Sequence, residues 1–262
     1  MIRLDSRQLE TVIGRVGDTP FTATPYFFLC RGQCDVYADH AGVPRFGVIV
    51  PHTPCPDVYT FGVDAMSAAE IDTLAEFLAS LETGCTPHYG LVVPATLVPG
   101  IRARRSIDLE VEGLCFTYRE IPPDFRVHRP GFARRLAPGD AAELQQLPPD
   151  ARFLYQAFGS PAALLVEGAA FGVFRRNRLV SVASTLVLTP GYGDVGVYTV
   201  RRHRHRAYAT DCVEALFAHL FATGRRPLWR IGDRQKVAIY FAEKLEMEEI
   251  GTNGREVYVE VS

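Results

Sequence analysis

Nowhere in this chain does an apolar run approach the roughly 18 residues that a membrane-spanning helix requires. A surplus of charge is missing too. The 28 Lys and Arg stand against 30 Asp and Glu, a formal net charge of -2, whereas a dedicated nucleic-acid-binding protein is basic overall. Cysteine is sparse: Cys30, Cys34, Cys55, Cys85, Cys115 and Cys212 are scattered over 262 residues, without the density of a disulfide-stapled scaffold. That usage implies free thiols in a reducing compartment. The paired units of a structural zinc site are also lacking. The nearest approach is Cys30-x3-Cys34, His52-x2-Cys55 and Cys85-x2-His88, spread through the first half of the chain. YFFLC and GLCFTY place Cys30 and Cys115 in apolar strand-like runs, where cysteine behaves as a small hydrophobe. The opening MIRLDSRQLETVIG has early acids and no apolar core of a signal peptide. These absences predict a soluble cytoplasmic protein with no metal, membrane or nucleic-acid partner. What remains is ordinary for a packed interior: 47% hydrophobic and 22% charged residues. The length suits one large domain or two average ones.

The segment EIPPDFRVHRPGF (120–132) holds three prolines and no apolar period, so it reads as a linker. It divides the chain into 1–122 and 123–262. Before it, strand-like runs fall at 25–30, 34–38, 46–50 and 57–62. A helix is predicted over 66–82, with Ile71, Leu74, Leu78 and Leu81 on one face and Ser67 with Glu70 forming a capping box. An apolar run at 89–93, a short helical stretch and a strand at 107–118 follow. After the linker come helical stretches at 138–147 and 150–166. A hairpin follows, AAFGVFRRNRLVSVASTLVL, turning at Arg175–Asn177, and then the strand YGDVGVYTV. AYATDCVEALFAHLFATG reads as a helix closed by Gly224, with Val213, Leu216, Phe217, Leu220 and Phe221 on its buried face. PLWRIG, the helix DRQKVAIYFAEKLE and a final strand complete an α/β (α+β) pattern. A mixed, mostly antiparallel sheet flanked by helices is expected, with the two halves as similar domains.

Between strand and helix stands RRHRHRAYAT (201–210), and three chemistries fit it. It could be a basic patch for nucleic acid, together with Arg225 and Arg226. His203 and His205 could form part of a metal site, but further ligands are not visible. The third is an anion site, because a helix start offers free N–H groups and the positive end of the dipole. Small Ala207 and Ala209 allow a phosphate to approach the backbone, and Arg204 and Arg206 add charge-assisted hydrogen bonds.

VYTVRRHRHRAYAT resembles the signature of the GNAT superfamily of acyl-CoA-dependent N-acyltransferases, in which Arg or Gln precedes small residues at a helix start. The likeness runs through Arg204, Ala207 and Ala209, and the surrounding elements follow the superfamily's order from about residue 131 to 262. It implies a GNAT-like fold in which neighbouring strands splay to admit the pantetheine arm of acetyl-CoA as co-substrate. By that likeness, Tyr198, Thr199 and Val200 pair with the arm. The N–H groups of His205, Arg206, Ala207, Tyr208, Ala209 and Thr210 hold the pyrophosphate beside Arg204, and Gln235 borders the site. An amine of a small molecule or peptide then attacks the thioester directly. Asp194 is the candidate base and Tyr240 the candidate acid, with a turn residue and a packing aromatic as their structural alternatives. Tyr155 and Glu167 come from the region that borders the acceptor. Assembly as a homodimer stays open.

This sequence departs from the superfamily's pattern at several positions. Ala207 replaces Gly, Gln235 replaces Asn, the frequent acidic Tyr falls on Ala242, and the usual Gly-Phe is Glu246-Met247. A catalytically silent GNAT-like protein that binds a CoA ester or a regulatory partner is therefore the second reading. PDVYTFGVDAMSAAEIDTLAEFLAS in the first half repeats the strand-to-helix step without the arginine and the small-residue spacing. A packing or substrate-shaping role, not a second CoA site, is expected there.

Overall fold

The computed structural model describes residues 1–54, 57–81, 89–251 and 256–261. In chain order these form β1 (Ile2–Arg3), α1 (Leu9–Val16), α2 (Ala23–Cys30), β2 (Cys34–Ala38), β3 (Gly47–Pro51), β4 (Asp57–Phe61), α3 (Ala68–Ser80), β5 (Tyr89–Pro94), α4 (Val98–Arg102) and β6 (Ile107–Thr117). Then come β7 (Arg134–Arg135), α5 (Ala141–Gln145), α6 (Pro161–Glu167), β8 (Ala170–Arg175), β9 (Arg178–Leu188), β10 (Tyr192–Thr199) and α7 (Tyr208–Ala222). β11 (Arg226–Gly232), α8 (Lys236–Lys244), β12 (Glu248–Glu249) and β13 (Glu256–Val261) end the chain. The elements group into two compact units, Met1–Cys115 with Ile231–Ser262, and Phe116–Arg230.

In the first unit the strand order is β1-β2-β3-β4-β5-β13-β6, antiparallel except where β4 meets β5. The alternation in EVYVEV sends Val257, Val259 and Val261 into a core with Leu91, Val93, Leu74 and Leu78. β13 thereby fills the place between β5 and β6, and α8 groups with it. The compact units thus differ from the 1–122 and 123–262 division, because the last strand finds its hydrogen-bond partners in the first half. Helix α3 starts as predicted: Ser67 Oγ accepts from Glu70 N, while Glu70 Oε2 accepts from Ser67 N at 2.8 Å. Arg45 also donates to Glu70, at 2.5 Å. The N-terminus of α3 is occupied by the chain's own carboxylate.

The second unit runs β7-β8-β9-β10-β11, antiparallel until the parallel pair β10 and β11. Val213, Leu216, Phe217 and Leu220 of α7 are fully buried, and Phe221 packs edge-on to Tyr118 and Phe125. Both units follow one plan: two helices, three antiparallel strands, a helix, and a strand parallel to the third.

Several expectations need correction. YFFLC is not a strand but the body of α2, buried at Phe27, Phe28 and Leu29. A continuous apolar run carries no period to tell the two apart, and Pro25 fits the first turn of a helix. The stretch 150–166 is not one helix. A 3-10 segment, Pro149–Phe158, ends at Gly159 with φ 79°, and Ser160 caps α6 by accepting from Ala163 N. The hairpin turn is Arg176–Asn177, both with positive φ, as a two-residue turn between twisted strands requires. Cys34, Cys115 and Cys212 are buried and Cys30 is exposed. Burial pushes the Cys34 and Cys212 thiols up to about 12. Cys55, Cys85 and His88 lie outside the described residues.

Candidate functional site

Strands β10 and β11 stay paired for a short distance only. The parallel register covers Tyr192 with Arg226, Gly193 with Pro227 and Asp194 with Leu228, and there it stops. At the same place the β9 register shifts between Asp194 and Val195, a bulge that re-aims the strand. From Val195 to Thr199, β10 keeps β9 on one side and has no β11 partner on the other. Arg230 Nε and Nη2 both donate to Asp194 Oδ2, at 3.0 and 2.8 Å, and so tie the two strands where they part.

A 3-10 turn, Arg201–His203, leads from β10 toward α7. Arg204 Nε folds back onto the carbonyl of Thr199 at 3.2 Å. His205 and Ala207 then take the left-handed conformation, with φ of 59° and 60°. Ala207 is the N-cap of α7, and no side chain caps the helix. Asp211 N makes the first helical bond, to Ala207 O. The preceding N–H groups, from His205 to Thr210, have no acceptor among the described residues. Here an uncapped helix start and unpaired amides face outward together, the arrangement that stabilises an anion.

Beside this row lies a pocket of about 870 Å³ lined by Arg175, Arg176, Arg178, Val180, Arg202, His203, Arg206 and Tyr208. Tyr208 OH accepts from Arg175 Nε at 2.8 Å, and that bond to a guanidinium holds the phenol below its ordinary range. Tyr198 shifts the opposite way, raised by burial and by its hydrogen bond to Asp150. Among the described residues, the non-glycine positive φ angles are those of Arg176, Asn177, His205, Ala207 and Glu246, and four of these five belong to the two turns flanking the pocket. The hairpin accounts for Arg176 and Asn177; His205 and Ala207 lie outside any hairpin turn, and strain of that kind concentrates at functional sites.

Sequence reasoning missed the anchoring of α7. The 120–132 segment is a strap as well as a linker. Arg129 pairs with Asp211, which is 4% exposed, and its Nη2 reaches the carbonyl of Arg206 at 3.5 Å. His128 donates its backbone N–H to Glu214 Oε2 at 2.8 Å and its ring meets Oε1 at 2.7 Å. Two acids on an otherwise apolar helix face, Asp211 and Glu214, were the available signal, since buried carboxylates demand partners.

The structure brings together Tyr198, Thr199, Val200 and Arg204 through Thr210. It does not leave Asp194 as a solvated turn residue: the side chain is 6% exposed and held by Arg230. Gln235, the uncapped N-cap of α8, and Tyr240, 66% exposed on that helix, belong to the first unit. Ala242, at the position of the superfamily's tyrosine, is fully buried. Tyr155 lies in the 3-10 segment and Glu167 ends α6. Among the described residues no group of three His, Cys, Asp or Glu is placed to hold a metal, and no helix is long and apolar enough to cross a membrane.

No family model matches the chain. A curated relative, described as an uncharacterized N-acetyltransferase in the mutA 5′ region of Streptomyces virginiae, is 29% identical over 136 residues. That match is 52% of this chain and 57% of the relative, so little more than half of that protein is spanned. Among solved structures, the GCN5-related N-acetyltransferase-like protein from Streptococcus suis superposes with a TM-score of 0.70 at 16% identity, over 98% of this chain and 99% of that one. A tandem GNAT protein from the clavulanic acid biosynthesis pathway gives 0.63 at 12% identity, over 99% and 97%. The chain therefore has the fold of the GNAT superfamily of N-acetyltransferases, with mixed, mostly antiparallel strands flanked by helices.

Proposed function

We propose that this chain is an acyl-CoA-dependent N-acyltransferase that moves acetyl from acetyl-CoA to the amine of a small molecule or peptide. One observation carries the reading: an uncapped helix start with free N–H groups from His205 to Thr210, next to the unpaired edge of β10. Those amides fit a pyrophosphate, with Arg204 beside them. The edge of β10 that lacks a β11 partner fits a pantetheine arm; Val200 is already committed, its N–H donating to Val180 O and its carbonyl accepting from His203 N–H, and Thr199 O accepts from Arg204 Nε. Bound there, acetyl-CoA supplies an activated acyl group. The chain's share of the work is positioning and polarisation, since an outward N–H of the bulged strand can donate to a carbonyl oxygen.

A second reading, a silent protein that binds a CoA ester, has its own support. The carboxylate of Asp194 is committed to Arg230, and buried Ala242 offers no proton. Release of free thiol from acetyl-CoA, followed across a broad panel of amines, separates the two. Turnover that depends on an added amine is expected. Binding of acetyl-CoA with no thiol release from any amine would leave the silent reading standing instead.

A further inference from the structure

The pocket beside the helix start has a charge that the diphosphate reading does not use. Arg175, Arg176 and Arg178 come from the β8–β9 turn, and Arg202 and Arg206 from the loop before α7. Among the described residues none of the five forms an ion pair with a carboxylate, and no acidic residue lines the pocket. Like charges gathered without counter-charge repel one another, so the arrangement costs stability unless an anion enters.

His203 gives an independent indication. Arg202 Nε donates to His203 Nε2 at 3.1 Å, so in the neutral ring Nε2 is the acceptor and Nδ1 carries the proton. That Nδ1 is shielded from solvent and has no hydrogen-bond partner among the described residues. A buried N–H with nowhere to donate is uncommon, and an acceptor oxygen entering the pocket would satisfy it. Partial burial of the ring, with Arg202, Arg206 and Arg175 around it, holds its protonation below the ordinary histidine range.

We propose that this pocket binds a phosphate monoester dianion, in addition to the diphosphate on the α7 amides. Guanidinium forks from Arg178 and Arg202 grip its oxygens, and His203 Nδ1 donates to it. Arg206 and Tyr208 line the pocket and also belong to the amide row, so the two anion sites adjoin. A single donor carrying both a diphosphate and a ribose 3′-phosphate, as CoA does, can fill them together. That assignment of source rests on the donor reading above; the site itself does not.

The test has two arms. In the first, the His203 ring is followed by NMR through a pH titration with and without inorganic phosphate. Phosphate is expected to raise its midpoint by about one pH unit in the wild type, and Arg178→Gln to remove the rise. Arg178 is exposed, so this change leaves the fold intact. In the second arm, the Kd values of CoA and dephospho-CoA are compared. CoA is expected to bind about tenfold or more tightly, with the ratio falling toward one in Arg178→Gln and dephospho-CoA unaffected. Equal affinities, with phosphate still moving His203, would assign the site to a separate phosphorylated molecule. If neither nucleotide binds while phosphate moves His203, the donor reading fails and the pocket stands. A His203 midpoint indifferent to phosphate, together with equal affinities, overturns the proposal.

Discussion

Ala207 carries more conformational strain than its size suggests. Its φ of 60° lies in the left-handed region, where an L-residue with a Cβ is disfavoured by about 1–2 kcal/mol. The superfamily's glycine at this position meets no such cost. The methyl is tolerated because α7 is fixed from its other side: Arg129 holds Asp211 and His128 holds Glu214. Ala207→Gly is therefore expected to stabilise the protein by up to about 1 kcal/mol, after the extra chain entropy of glycine is subtracted. A raised urea midpoint at unchanged m-value would agree, and a lowered midpoint would contradict it. Asp194 teaches a related lesson about single residues. A lone aspartate after a glycine reads as a turn or a base, and its partner Arg230 lies 36 positions away in sequence. Long-range ion pairs of this sort leave no local trace.

At the scale of elements, the two strand-to-helix junctions differ in who satisfies the helix. In α3 the Ser67 and Glu70 side chains take the first N–H groups, whereas α7 begins with none. Hydrogen bonds from Ser67 and Arg45 hold the Glu70 carboxyl down at about 2, below its ordinary 4.5. Because the folded value is depressed, this contribution is complete above about 4.5 and disappears as the pH falls toward about 2. Glu70→Gln is expected to lower thermal stability at neutral pH and to converge with the wild type near the acid end of that window. Ser67→Ala should cost about 1 kcal/mol at neutral pH. Melting temperatures recorded across pH check both, and a Glu70→Gln deficit that persists unchanged in acid would refute the assignment. This capping box was legible in sequence because both residues lie within one turn. So were the hairpin, α7, and the strands with clear alternation. The identity of YFFLC was not, since a continuous apolar run has no amphipathic period to read. The break at Gly159 was readable in principle from Gly-Ser-Pro, but the flanking apolar residues suggested a longer helix.

For the whole molecule, the sequence divides at a proline-rich linker, and the compact units divide elsewhere. Residues Ile231–Ser262 group with the first half because β13 pairs with β5 and β6. Strand order of that kind is set by hydrogen bonds between residues more than a hundred positions apart, which periodicity does not report. The candidate site was more legible than the topology. Its backbone amides, Arg204 and the small residues all fall within one short stretch, whereas the pocket's other arginines come from a different turn. In the proposed reading, the start of α7 is where an acyl-CoA donor binds. Backbone amide NMR of the labelled protein, titrated with acetyl-CoA, tests it most directly. Saturable shifts are expected at His205 to Thr210 and at Tyr198 to Val200. Amides at these positions that stay unmoved at millimolar acetyl-CoA, or shifts confined to other parts of the chain, would contradict it.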